Sequence, residues 1–184
     1  FVFFLACSEN PKEVRTINVN PLIAEGKLEE AATEITRVLA EYPNHADLLY
    51  NLAMIQRMQG KSDVAQRTLS KALSLSPNDD EMNYLMIEML IDAGRIQDTW
   101  DRFQMLSEPF RKTARSQYTL GIIYSLLNNW PNAESAFRAV IGLGDATPAV
   151  KSALAFVTCR QGRLEEGKAY LLEAETAGES RQKP

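Results

Sequence analysis

Few residues in this 184-residue chain have types and spacing that could do chemistry. His45, the single histidine, stands beside Asn44 and Asp47. A metal centre there would need a second strong nitrogen or sulfur ligand, and none is near in sequence. The surroundings suit a histidine on a surface turn. Cys159 has no histidine partner for nucleophilic catalysis and falls on an apolar helix face, so it reads as a packing residue. Gly142-Leu143-Gly144-Asp145 shares two glycines with a phosphate loop. It lacks the third glycine, the following Lys-Ser/Thr and a preceding strand, which makes it a helix end. Asp79-Asp80-Glu81 clusters three carboxylates, but acids in the first turn of a helix complement its dipole without further role. No catalytic set, metal site, cofactor or small-molecule substrate is expected. The chain reads as a non-enzyme.

Composition narrows the field from another side. A content of 45% hydrophobic and 24% charged residues suits a globular chain with a packed core. A net charge of −4 argues against nucleic acid, which wants a basic stripe. Two cysteines, Cys7 and Cys159, are too few for a disulfide framework.

The organising stretch is 46–79. Leu48, Leu49, Leu52, Ala53 and Ile55 fall at helical spacing and stop before Gly60. A second run, Val64, Ala65, Leu69, Ala72, Leu73 and Leu75, ends at Ser76-Pro77. Neither helix can bury its apolar face alone, so the two must pack as an antiparallel pair, with Gly60 in the turn. Steps of 34 residues from Gly60 meet Gly26, Gly94, Asn128 and Gly162. The same step relates Ala31, Ala65, Thr99, Ala133 and Gly167, then Ile35, Leu69, Phe103, Phe137 and Leu171. It also relates Val38, Ala72, Leu106, Val140 and Ala174. Helices are expected at 20–25, 28–41, 46–59, 62–75, 80–93, 96–107, 113–127, 130–142, 148–161 and 164–177. Asn20-Pro21 reads as a cap and a first-turn proline, and Pro109 must end the helix before it.

This period, with its small, turn and apolar positions, resembles the tetratricopeptide repeat (TPR) family. Leu52-Ala53, Leu120-Gly121 and Leu154-Ala155 match the family's Leu-Gly/Ala pair, and Pro43 and Pro77 its closing proline. The third repeat departs from the pattern with Met86-Ile87 and Thr99. Arg111, Asp145 and Glu179 replace the later prolines, so those junctions are expected to be looser or differently bent. The resemblance implies an all-α, right-handed α-solenoid of about five repeats, near 12–45, 46–79, 80–113, 114–147 and 148–179. The array would span 20–179, followed by a short tail at 180–184.

In such an array the first helices line a concave groove, and side chains one repeat apart stack along it. Tyr50, Tyr84 and Tyr118, followed by Ser152, form one row. Met54, Glu88, Ile122 and Phe156 form a second, and Arg57, Ile91, Ser125 and Cys159 a third. Tyr50, Met54, Arg57, Tyr84, Glu88, Tyr118, Ile122 and Phe156 are therefore the candidate protein-binding residues, although tyrosine at this repeat position also serves packing. TPR domains that clamp chaperone tails place Lys at the tyrosine position and Asn four residues on; this chain has neither. The last helix offers a competing surface around Tyr170 and Leu172.

Residues 1–7, FVFFLAC, look like the tail of a secretory signal with a bacterial lipobox, whose cysteine, Cys7, would be acylated. A short buried strand or an ordinary N-terminal tail is the other reading. The polar linker at 8–19 cannot tie this run to a core. Ser8 after the cysteine looks like an outer-membrane sorting pattern. A lipidated cysteine with a TPR array resembles the TPR lipoproteins of pilus assembly, the pilotins and the tight-adherence lipoproteins. That resemblance implies a scaffold on the periplasmic face of the bacterial outer membrane, helping a secretin or other envelope subunit to assemble. The alternative is a soluble TPR chaperone or regulatory adaptor for a secreted or cytoplasmic client.

Overall fold

The computed structural model describes residues 19–180, so Cys7 and nearly all of the 8–19 linker lie outside the described residues. Among the described residues there are eleven helices and no strand. The first unit, within 1–75, holds α1 (Asn20–Ala24), α2 (Leu28–Glu41), α3 (Ala46–Met58) and α4 (Ser62–Leu75). The second, from 76 onward, begins with α5 (Asp80–Asp92), α6 (Ile96–Gln104), α7 (Glu108–Arg111) and α8 (Ala114–Leu126). It continues with α9 (Trp130–Gly142), α10 (Pro148–Arg160) and α11 (Leu164–Ser180). No helix among the described residues is long and apolar enough to cross a membrane.

One turn closes every pair. Gly26, Gly60, Gly94, Asn128 and Gly162 all have left-handed φ, at 73°, 75°, 68°, 57° and 82°. The residue after each donates its backbone N–H to a carbonyl five residues back. Lys27 bonds Leu22, Lys61 bonds Gln56, Arg95 bonds Leu90, Asn129 bonds Tyr124 and Arg163 bonds Thr158, at 2.8–3.0 Å. This double-bonded helix end satisfies carbonyls that would otherwise be orphaned, and it needs a residue tolerant of positive φ.

Small residues then let the paired helices approach. Ala31, Ala65, Thr99 and Ala133 are completely buried. Thr99 fits the alanine slot because its hydroxyl donates to its own helix, to the Arg95 carbonyl at 2.9 Å. In the first unit Val19, Ala31, Ile35, Leu48 and Ile55 form one core cluster. Two clusters lie in the second unit. One is Tyr84, Ile87, Phe103, Leu106 and Ile123, and the other Ala133, Phe137, Val140, Val150, Leu154 and Val157.

Four details differ from expectation. Val19, not Asn20, caps α1, and Asn20 is its first residue. Helix α6 stops at Gln104, and Ser107 caps a separate short helix that contains Pro109. That junction is not loose. The Ser107 amide and hydroxyl both donate to the Asp80 carboxylate, at 2.8 and 2.5 Å. Buried Asn83 donates to the carbonyls of Pro77 and Asp79 and accepts from Arg102 at 2.9 Å. A polar clasp therefore ties the start of α5 to Ser107 and to Arg102 of α6. Helix α11 runs on to Ser180 rather than stopping near 177. On it Leu171 is 45% exposed, although its counterparts Ile35, Leu69, Phe103 and Phe137 are buried, because no described element packs over that face.

Candidate protein-binding groove

In the second unit α8 and α10 are the first helices of successive pairs, and α9 packs against both. Between them lies an open cleft of about 530 Å³. One wall is Tyr118, Ile122, Ser125 and Leu126 from α8; the other is Ala149, Ser152, Ala153 and Phe156 from α10. Phe137 of α9 reaches it from below, tilted at 58° against the Tyr118 ring with centroids 5.4 Å apart. Gly121 makes room for that ring, since an added Cβ would lie 2.5–2.7 Å from its atoms. The Ser125 hydroxyl is spent on the Gly121 carbonyl at 2.8 Å. What the cleft offers is therefore mostly apolar. Its largest exposed side chain is Phe156, 55% open to solvent.

The end of the cleft at Phe156 is built from stacked side chains. Phe156 meets Trp130 edge-on, with centroids 5.9 Å apart at 78°, and the Arg160 guanidinium lies over Trp130 at 4.8 Å. A polar hub holds this corner. Glu134 of α9 accepts from Gln161 and Arg138, each at 2.9 Å, and from Arg163. Glu166 of α11 pairs with both Arg138 and Arg163, at 2.9 and 2.7 Å. Burial would raise the Glu134 pKa, but the three donors outweigh burial and hold it below the usual glutamate value.

Of the eight candidate groove residues, Tyr118, Ile122 and Phe156 meet in this cleft, joined by Ser125 and Ser152 from the same rows. Tyr84 does not offer a contact face: it is only 6% exposed. Its hydroxyl lies 2.6 Å from the Thr119 hydroxyl, and its ring is covered by Arg115 at 4.0 Å and by Phe110. Burial, the largest influence, pushes its pKa up. Tyr84 is a packing residue, and the three-tyrosine row is corrected to Tyr118 alone in this cleft. Glu88 sits half-buried on α5, and Tyr50, Met54 and Arg57 are half-buried on α3 of the first unit. Tyr170 is half-buried against the Phe137 and Leu154 cluster, while Leu172 is exposed.

The other singled-out residues have local roles. His45 caps α3, its Nδ1 accepting from the Leu48 amide at 3.4 Å. Gly142-Leu143-Gly144 closes α9. Cys159 Sγ fills the space beside Gly167, 2.3 Å from where a Cβ would stand. Sequence reasoning missed Phe137, Ala149, Ala153 and Leu126 as lining, and Trp130 and Arg160 as the corner. The pairing of Gly121 with Phe137 one helix later was the available signal.

Residues 22–86 match the tetratricopeptide-repeat family model. The structure of MamA (from residue 41 to its end) from Desulfovibrio magneticus RS-1 superposes with a TM-score of 0.79, covering 89% of this chain and 93% of that one at 17% identity. The fold is that of the tetratricopeptide repeat. TTC0263, a thermophilic TPR protein of Thermus thermophilus, is similar with a TM-score of 0.66, 23% identity and coverage of 86% and 87%. A tetratricopeptide repeat protein from Parabacteroides merdae gives 0.73 at 19% identity, over 86% of this chain and 62% of its own. No curated protein sequence matches the chain. The TPR fold found here is the all-α fold expected from the 34-residue period.

Proposed function

We propose that this chain is a non-catalytic protein-binding scaffold, and that the cleft between α8 and α10 holds a short segment of its partner. The observation that carries this is the apolar cleft itself, about 530 Å³ and open, with Phe156 55% exposed at one end. Such a volume lies within the range of built binding sites, about 300–1,000 Å³. Its walls are helices with buried backs, so they lose little entropy when a segment docks. A photo-crosslinking residue at Ser152 should capture a discrete partner in the source cell, and Ser152→Arg, which fills the cleft, should abolish complex formation on isolation. Unchanged complex formation with Ser152→Arg would move the site elsewhere, the exposed α11 face with Leu172 being the next to test.

The finer reading is a lipid-anchored scaffold on the periplasmic face of the outer membrane, assisting assembly of an envelope machine such as a pilus or secretin. It is supported by the Leu5-Ala6-Cys7 stretch and the polar linker after it. Labelled palmitate should enter the protein at Cys7 in a bacterial host, and Cys7→Ser should release it from membranes. Two or more acyl chains anchor stably, so wild-type protein should need detergent rather than salt for release. If Cys7→Ser leaves membrane fractionation unchanged, the anchor reading fails.

A further inference from the structure

The charges on the two helices that form the cleft narrow what the partner segment must be. Helices α8 and α10 carry three cations, Arg115, Lys151 and Arg160, and no Asp or Glu at all, in a chain whose net charge is −4. Two of the three are already spent. Arg115 pairs with Glu81 at 2.7 Å and Lys151 with Glu173 at 3.0 Å. Among the described residues no carboxylate pairs with Arg160. Arg160 follows Phe156 by one helical turn, so both stand on the same side of α10, and Trp130 touches each of them. A cation–π contact with an indole ring engages the charge of a guanidinium and not its N–H donors, which stay available for bidentate pairing with a carboxylate. Complementing the dipole at the end of α10 would explain a cation here, but it does not require the contact with Trp130.

We infer that the cleft binds an apolar segment bearing an Asp or Glu, with the carboxylate held by Arg160 at the Phe156 end. This rests on the cleft being the binding site. The apolar walls supply contact area, while Arg160 sets direction and selects against basic segments. Lys or Arg on the segment would be repelled at this end by Arg160, which no carboxylate neutralises among the described residues.

The test is selection from a displayed library of random dodecapeptides on full-length protein, its Arg160→Glu variant and its Ser152→Arg variant. Wild-type protein should enrich peptides that pair apolar residues with Asp or Glu, and Arg160→Glu should enrich Lys or Arg at the same place. Fluorescence anisotropy on one selected acidic peptide should show about threefold to tenfold weaker binding to Arg160→Glu, the effect shrinking at high salt. Ser152→Arg should select nothing. If wild type and Arg160→Glu select peptides of the same charge, the acidic inference is overturned and the cleft stands. If Ser152→Arg selects as wild type does, the cleft reading falls and the inference with it.

Discussion

A methyl group added at Gly121 would lie 2.5 Å from Cε1 of Phe137, a ring that is itself buried and tilted against Tyr118. The ring is part of the cleft lining, so any shift that makes room for the methyl reshapes the cleft. Gly121→Ala should therefore lower stability by about 1–3 kcal/mol, read as a lower melting temperature by circular dichroism. It should also weaken a peptide bound between Tyr118 and Phe156, whereas the same change at exposed Gly142, where nothing lies within 4 Å, should do neither. Tyr84 and Tyr118 show how far single residues can be read in sequence. They occupy the same repeat position and share the same helical spacing, yet one is covered and the other lines a cleft. The cover comes from Arg115 and Phe110, and Phe110 lies on a short helix with no counterpart in the 34-residue pattern. Periodicity places a side chain on a face; what then sits on that face depends on the irregular parts.

At the scale of elements, the clasp at Asp80 ties the start of α7 to the start of α5. Asp80 holds the amide and hydroxyl of Ser107, which in turn caps α7. Asp80→Ala should leave α5 and α6 intact but speed amide hydrogen exchange through 107–113, at a cost of about 1–3 kcal/mol in that segment. The helix pairs themselves were legible because turn, small and apolar positions all recur in register. Helix α7 was not, because Ser107-Glu108-Pro109 serves equally to stop one helix and to start another. The hub at Glu134 gives a pH-dependent expectation for α9 to α11. Its carboxyl titrates lower in the folded chain than the ordinary 4.5. The stabilisation it supplies is therefore complete above that ordinary value and is lost as pH falls through the lowered one. Glu134→Gln should lower stability at neutral pH by about 1–3 kcal/mol, read by thermal or denaturant unfolding, and the gap to wild type should close in acid. A gap that stays constant from neutral to pH ~3 would mean that the charge on Glu134 is not what holds the hub.

Across the whole molecule, each compact unit has its own core, and contacts join neighbouring helices. Damage should therefore stay near where it is made. Ile35→Ala empties a fully buried position between α2 and α3 and should cost about 2–5 kcal/mol. Hydrogen exchange should quicken through 19–75 and stay near wild type over 114–180. Equal quickening in both stretches would show one cooperative block instead. The architecture was the most legible feature of this chain, since a period repeated five times outweighs local exceptions such as Thr99. The cleft was only partly legible, because its floor and its charged corner come from different helices than the rows that named it. The turns at Gly26, Gly60, Gly94, Asn128 and Gly162 also carry a consequence in time. Each is closed by hydrogen bonds within six consecutive residues and depends on nothing farther along the chain. A ribosome adding about 5–20 residues per second needs roughly 2–7 s to deliver one repeat, while helices form within about a microsecond. Every hairpin can thus be closed before the next has been synthesised, and the nascent chain need never expose more than one unpaired helix to its surroundings.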